Sequence, residues 1–177
     1  MRSALQSLRV PGFARLAGSY TVNELGDNVG VVALAILVLD ETGRVMAPVA
    51  LFVAARLVPA LLAPLLTARL DRQAIGRSLP KLYLGEAAAF GLLALTSRHF
   101  WLPAVLVLAL ADGVIAVTAR GITRGAVAGL MAPVGMLREG NAVMNVGFAA
   151  ASAAGPAAGG LVVAAWDPAT ALVIDAV

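Results

Sequence analysis

Residues 14–38 read ARLAGSYTVNELGDNVGVVALAILV, and this stretch decides the fold. It is long, largely apolar and free of proline. Roughly 20 such residues wound into a helix cross the ~30 Å hydrocarbon core of a bilayer. Glu24 and Asp27 lie within it, and no small-residue cleavage site follows a short apolar region, so it is not a removable leader. Similar runs recur along the chain. They predict helices over about 14–38, 47–70, 82–96, 102–130, 141–165 and 168–177. Ten residues of helix rise only ~15 Å. The expectation is therefore five complete transmembrane helices plus the start of a sixth. The connections are short and polar, at 40–44, 69–81, 97–100 and 166–167, and Gly43, Pro80, Pro103 and Pro168 mark them.

Composition agrees. Of 177 residues, 60% are hydrophobic and 13% charged, and the mean hydropathy is +0.91. Soluble domains run near 45–50% apolar and about 25% charged. This chain has too few charges to coat a water-facing globule, so the expected fold class is an all-α integral membrane protein. The absence of cysteine excludes disulfides, thiolate zinc sites and thiol nucleophiles. A single histidine, His99, excludes a multi-histidine metal site within the chain. Short connections leave no nucleophile, base or metal constellation, so neither an enzyme nor a cofactor is expected.

The high isoelectric point has a topological reading. Arg2, Arg9 and Arg15 precede or open the first span. Arg69, Arg72, Arg77 and Lys81 lie in the second-to-third connection, and Arg120, Arg124 and Arg138 in the fourth-to-fifth region. With alternating spans these all fall on one side, while Arg44 and Arg98 fall on the other. The positive-inside rule then places the N-terminus in the cytoplasm. That distribution removes the case for nucleic acid as a partner, while 12 Arg against 1 Lys with abundant Ala and Gly suggest a GC-rich bacterial genome and hence a bacterial inner membrane.

Charges inside spans cost about 2.5–3.5 kcal/mol each on insertion scales. The candidates are Glu24, Asp27, Arg56, Glu86 and Asp112. At 1.5 Å per residue, Asp27 lies about 16 Å below Val38, Arg56 about 14 Å below Ala47 and Asp112 about 15 Å below Leu102. The expectation is a compensated cluster at one depth, with Arg56 between two aspartates. Glu24 shares the face of Asp27 at i,i+3 spacing, and Tyr20, Thr21 and Asn28 extend that polar side. Glu86 lies nearer the cytoplasmic end and is expected to snorkel. Such a cluster serves either as an ion pair that fixes helix packing or as a substrate and proton site. The fifth span carries Gly155-Pro156-Ala157-Ala158-Gly159-Gly160, with Ala151 one turn earlier. Small residues at this spacing permit close helix approach, and Pro156 favours a bend. Asn141, Asn145 and Ser152 are expected to hydrogen-bond to a neighbouring helix.

Several local patterns resemble the N-terminal half of major facilitator superfamily transporters. The similarity is to the drug and siderophore efflux branch, of the enterobactin-exporter type. Leu25-Gly26-Asp27 with Val32-Ala33-Leu34, and Ala55-Arg56-Leu57-Val58-Pro59, resemble the branch's first two helices. Asp71, Arg72, Gly76 and Arg77 resemble the superfamily's loop signature. Thr67 stands where that signature begins with glycine, and two more residues separate its halves. Asn141-Ala142 with Gly155, Pro156, Gly159 and Gly160 resembles the antiporter motif. The resemblance implies a half-bundle over residues 1–177, with a C-terminal half as its missing partner. It implies proton-coupled efflux of a small molecule by alternating access around a midplane site. Glu24, Asp27, Arg56 and Asp112 would line the proton and substrate pathway. The competing expectation is a membrane packing or assembly module without transport, which would have no need of a charged midplane cluster.

Overall fold

Gly12 and Gly43, both with positive φ, bracket the first long helix, where a side chain would be strained. The N–H of Gly43 closes the end of this helix on the carbonyl of Leu39 at 2.8 Å. A computed structural model describes residues 2–70 and 75–176, with side chains described for 4–61 and 78–176. The described residues form α1 (Arg2–Ser7), α2 (Phe13–Thr42), α3 (Met46–Leu70), α4 (Ile75–Thr96), α5 (Leu102–Met131), α6 (Leu137–Ala165) and α7 (Pro168–Asp175). No strand occurs among them. Asp167 caps α7 through a 2.6 Å bond from the Thr170 N–H, with Pro168 opening the helix.

Two boundaries differ from the expected ones. The third predicted span begins earlier, because α4 continues through Pro80 rather than starting after it. The short α1 was not foreseen in the polar N-terminal segment. By length and composition α2, α5 and α6 are sufficient to cross a membrane, and residues Met46–Leu61 of α3 form a shorter apolar run. Large apolar side chains project outward from all the long helices, among them Val22, Leu61, Leu84, Val107 and Leu161. So continuous an apolar exterior is compatible with a membrane protein. Trp101 and Trp166 are both exposed, each in a connection at the same end of the bundle.

Register between helices fixes their directions. On α6, Gly147, Gly155 and Gly159 meet Thr21, then Leu25 and Asn28, then Val29 and Val32 of α2. The numbers rise together, so α2 and α6 are parallel. Gly85 of α4 meets Ile115 of α5, while Phe90 and Leu93 share a cluster with Val105 and Ala109, so α4 and α5 are antiparallel. The helices thus alternate in direction. One apolar cluster, including Leu34, Val38, Leu93, Val105 and Leu172, fills one end of the bundle. A second, with Phe13, Val127, Met131 and Met144, fills the other. Ionisable side chains occupy the level between these two apolar layers.

The α2–α6 seam is the most extensive helix contact among the described residues. A Cβ on Gly155 would collide with the Cβ of Asn28, and one on Gly159 would come within 2.9 Å of the Val29 carbonyl. Ala151 is buried on the same stripe. Pro156 is exposed and Gly160 has open space around its Cα, so this half of the string faces away from α2. Overpacking a tight interior costs roughly 1–3 kcal/mol. Gly155→Val should therefore lower the yield of monodisperse detergent-solubilised protein and its melting temperature, whereas Gly160→Ala should leave both near wild type.

Candidate functional site

Glu24 and Asp27 lie one helical turn apart on α2 and reach the same guanidinium. Arg120 of α5 donates from Nε to Glu24 Oε1 at 2.5 Å and from Nη2 to Glu24 Oε2 at 3.2 Å. The same Nη2 also donates to Asp27 Oδ2 at 3.0 Å. Glu24 is 1% exposed and Asp27 5%, so both carboxylates are cut off from solvent on the α2 side. The bidentate fork matches guanidinium geometry to a carboxylate plane. One cation thus serves two anions, leaving the triad with a net negative charge.

This arrangement corrects two expectations. Arg120 was counted in the cytoplasmic basic fringe, but α5 is long enough to carry it back into the bundle at the level of Glu24. Arg56 was expected to bridge Asp27 and Asp112. It makes no ion pair among the described residues, and its guanidinium carbon instead stands 5.5 Å from the centre of the Phe52 ring. The local reason is spacing. Phe52 precedes Arg56 by one turn on the same face, and Arg120 has already taken the Asp27 carboxylate. The depth relation itself is visible, since Asp27, Arg56 and Asp112 line one small cavity of about 50 Å³ between α2, α3 and α5. Asp112 Oδ1 is buried there without a hydrogen-bond partner. Its neighbour Gly113 lets α5 lie directly against the Ala55 carbonyl and the Pro59 ring of α3.

Opening from the triad is a groove of about 710 Å³ between α2, α3, α5 and α6. Tyr20, Glu24 and Asn28 contribute from α2 at successive turns, and Arg120, Thr123 and Arg124 from α5. Asn141, Asn145 and Ser152 face this groove from α6 rather than bonding a neighbouring helix. Arg56 reaches it from α3. Three arginines against one glutamate give the wall an excess of positive charge, suited to anionic groups and oxygen donors.

Glu86 does not snorkel. It is 3% exposed, and neither carboxylate oxygen has a hydrogen-bond partner. Asp175 of α7, which the sequence reading did not single out as a site, packs its carboxylate onto Gly26 and Gly30 of α2. These two glycines form a second small-residue notch, legible in hindsight as a G-x-x-x-G spacing around Asp27. Of the loop signature, Asp71 and Arg72 lie outside the described residues. Gly76 and Arg77 fall within the first turn of α4, with side chains outside the described set. Among the described residues no three His, Cys, Asp or Glu side chains gather closely enough to hold a metal ion.

Removing one partner of a buried pair leaves an uncompensated charge, at a cost of roughly 3–5 kcal/mol. Arg120→Ala should therefore lower the melting temperature of the purified protein more than Arg56→Ala does. Adding Glu24→Gln and Asp27→Asn to Arg120→Ala should recover part of the loss, read by the same thermal scan.

Compared with family models, with curated proteins and with solved structures, the chain finds no match in any of the three.

Proposed function

We propose that the chain is the N-terminal half-bundle of a secondary transporter of the major facilitator type. In this reading it sits in a bacterial inner membrane with α2 to α6 as five spans and α7 opening a sixth, its N-terminus in the cytoplasm. It exports a small molecule, such as a drug or siderophore, in exchange for protons by alternating access. Its partners are the lipid bilayer, the substrate, protons and a C-terminal half that closes the groove. The observation that carries this reading is the Arg120–Glu24–Asp27 triad at the wall of a groove of about 710 Å³. A module that only packs helices has no need to bury three charges beside an open groove.

The alternating helix directions support the topology. They bring the starts of α2, α4 and α6 and the ends of α3 and α5 to one end of the bundle, where Arg9, Arg15, Lys81 and Arg138 lie, with Arg44 and Arg98 at the other.

The triad suggests how exchange works. Two carboxylates compete for one guanidinium. A proton arriving at Asp27 converts it to a carboxylic acid and releases its bond from Arg120 Nη2. Arg120 then stays paired with Glu24, and the charge of the groove rises by one. An anionic or oxygen-rich substrate gains attraction to the wall at that moment. Loss of the proton restores the bond and weakens the hold on substrate. Binding energies that differ between two protonation states are what couple two ligands.

Removing a positioned proton carrier typically costs on the order of 100-fold or more in rate. The half-bundle purified together with its C-terminal half and placed in liposomes, with protocatechuate as an anionic probe and ethidium as a cationic one, tests this. An imposed proton gradient should drive protocatechuate transport in the wild type, with Asp27→Asn reducing it to background. Gradient-driven transport unchanged in Asp27→Asn would remove Asp27 from the proton path. A wild type that moves neither probe against an empty-liposome control would count against transport itself.

A further inference from the structure

On the side of α2 away from the groove lies a second cavity, of about 520 Å³, between α2, α4 and α7. Asn23 and Asp27 of α2, Tyr83 and Glu86 of α4 and Asp175 of α7 line it. Both Glu86 oxygens are buried without a hydrogen-bond partner, and so is Asp175 Oδ2. Asn23 and Tyr83 are the neutral polar groups beside them. The charged groups facing Glu86 are Asp27, Asp112 and Arg120, and those facing Asp175 are Asp27, Glu86 and Asp112. Arg120, the cation in this set, is already bonded to Glu24 and Asp27.

Glu86 is buried and Asp175 half-buried with its Oδ2 enclosed, and with Asn23 as the neutral donor beside Glu86 and no free cation facing either acid among the described residues, both are unfavourable as anions. A metal ion is not what suits them, because no three such ligands gather among the described residues. The cation that fits one or two such carboxyl groups is the proton. The fit of Asp175 is also specific. A Cβ at either Gly26 or Gly30 would collide with its carboxylate oxygens, so this stretch of α2 admits the acid only because it carries two glycines.

We propose that Glu86 and Asp175 form a proton-binding pair on the back of α2, which loads from the α4–α7 side and delivers to Asp27. Asp27 lines this cavity and also bonds Arg120, so it joins the back of the bundle to the groove. In the delivery step the Glu86 carboxylic acid gives its proton to the Asp27 carboxylate. Glu86 becomes the anion, Asp27 becomes neutral, and Arg120 keeps Glu24. The delivery step rests on the transport reading given above, whereas proton binding at Glu86 and Asp175 does not.

Two measurements, infrared on the purified chain and transport on the chain with its C-terminal half, separate these claims. Infrared difference spectra across a pH titration should show a protonated-carboxyl stretch that Glu86→Gln and Asp175→Asn each diminish. A band unchanged in both variants overturns the proton-binding pair. Each variant replaces an unpartnered acid by a neutral amide of the same shape, so thermal stability should hold or rise, and a monodisperse size-exclusion peak confirms folding. In liposomes, both variants should lower gradient-driven protocatechuate transport by roughly 100-fold, while equilibrium binding of the probe stays within about twofold. A wild-type pH profile of transport in both variants overturns delivery to Asp27. If the wild type transports neither probe, the infrared result alone decides whether Glu86 and Asp175 bind protons.

Discussion

The middle level of this bundle depends on Arg120 being shared by Glu24 and Asp27. Apolar layers above and below would pack equally well around neutral side chains. Between them, the positions of α2 and α5 are set by a guanidinium fork that tolerates little displacement. The pairing is unbalanced by construction, since one cation faces two anions. An unbalanced buried cluster is a poor way to gain stability. It is a good way to make a site whose charge changes when a proton or an anion arrives. The nearby acids, Glu86, Asp112 and Asp175, carry the same imbalance further, each with at least one buried oxygen lacking a partner.

Much of the fold was legible because helical spans announce themselves by length and apolar content. Residues 102–130 and 141–165 agree closely with α5 and α6 as observed. Glu24 and Asp27 were legible as a pair, since i,i+3 spacing on a helix forces a common face. Gly155 and Gly159 were legible as a contact stripe for the same reason. Partner choice was not legible. Arg120 stands near Arg124 at the amphipathic end of α5 and looks like one more cytoplasmic charge. It is also two turns below Asp112 on the same helix, and matching its depth to Glu24 would have paired them. Asp175 was hidden differently. Its meaning depends on the notch at Gly26 and Gly30 five helices earlier, and no local pattern around residue 175 announces it.

The two glycine notches give α2 its central place. Gly26 and Gly30 are its own small residues, opened towards α4 and α7. On its other side the glycines belong to α6, which brings its backbone up to Leu25 and Val29. In a bilayer, apolar area gives helices little reason to associate, and close backbone packing and polar contacts carry that role. Both are concentrated on α2. Its two acids share Arg120 yet line different spaces: Glu24 the groove, and Asp27 the interior cavities.

The parallel seam between α2 and α6 also constrains the order of assembly. α2 emerges first during synthesis, but its cationic partner lies in α5 and its backbone partner in α6. A helix entering a bilayer with two unpaired carboxylates bears a penalty of several kcal/mol until that cation arrives. Contacts between segments this far apart in sequence form late. If the bundle assembles in a bilayer, α2 is therefore secured only once α5 and α6 are made, and until then it needs a waiting place at the insertion machinery or the lipid interface.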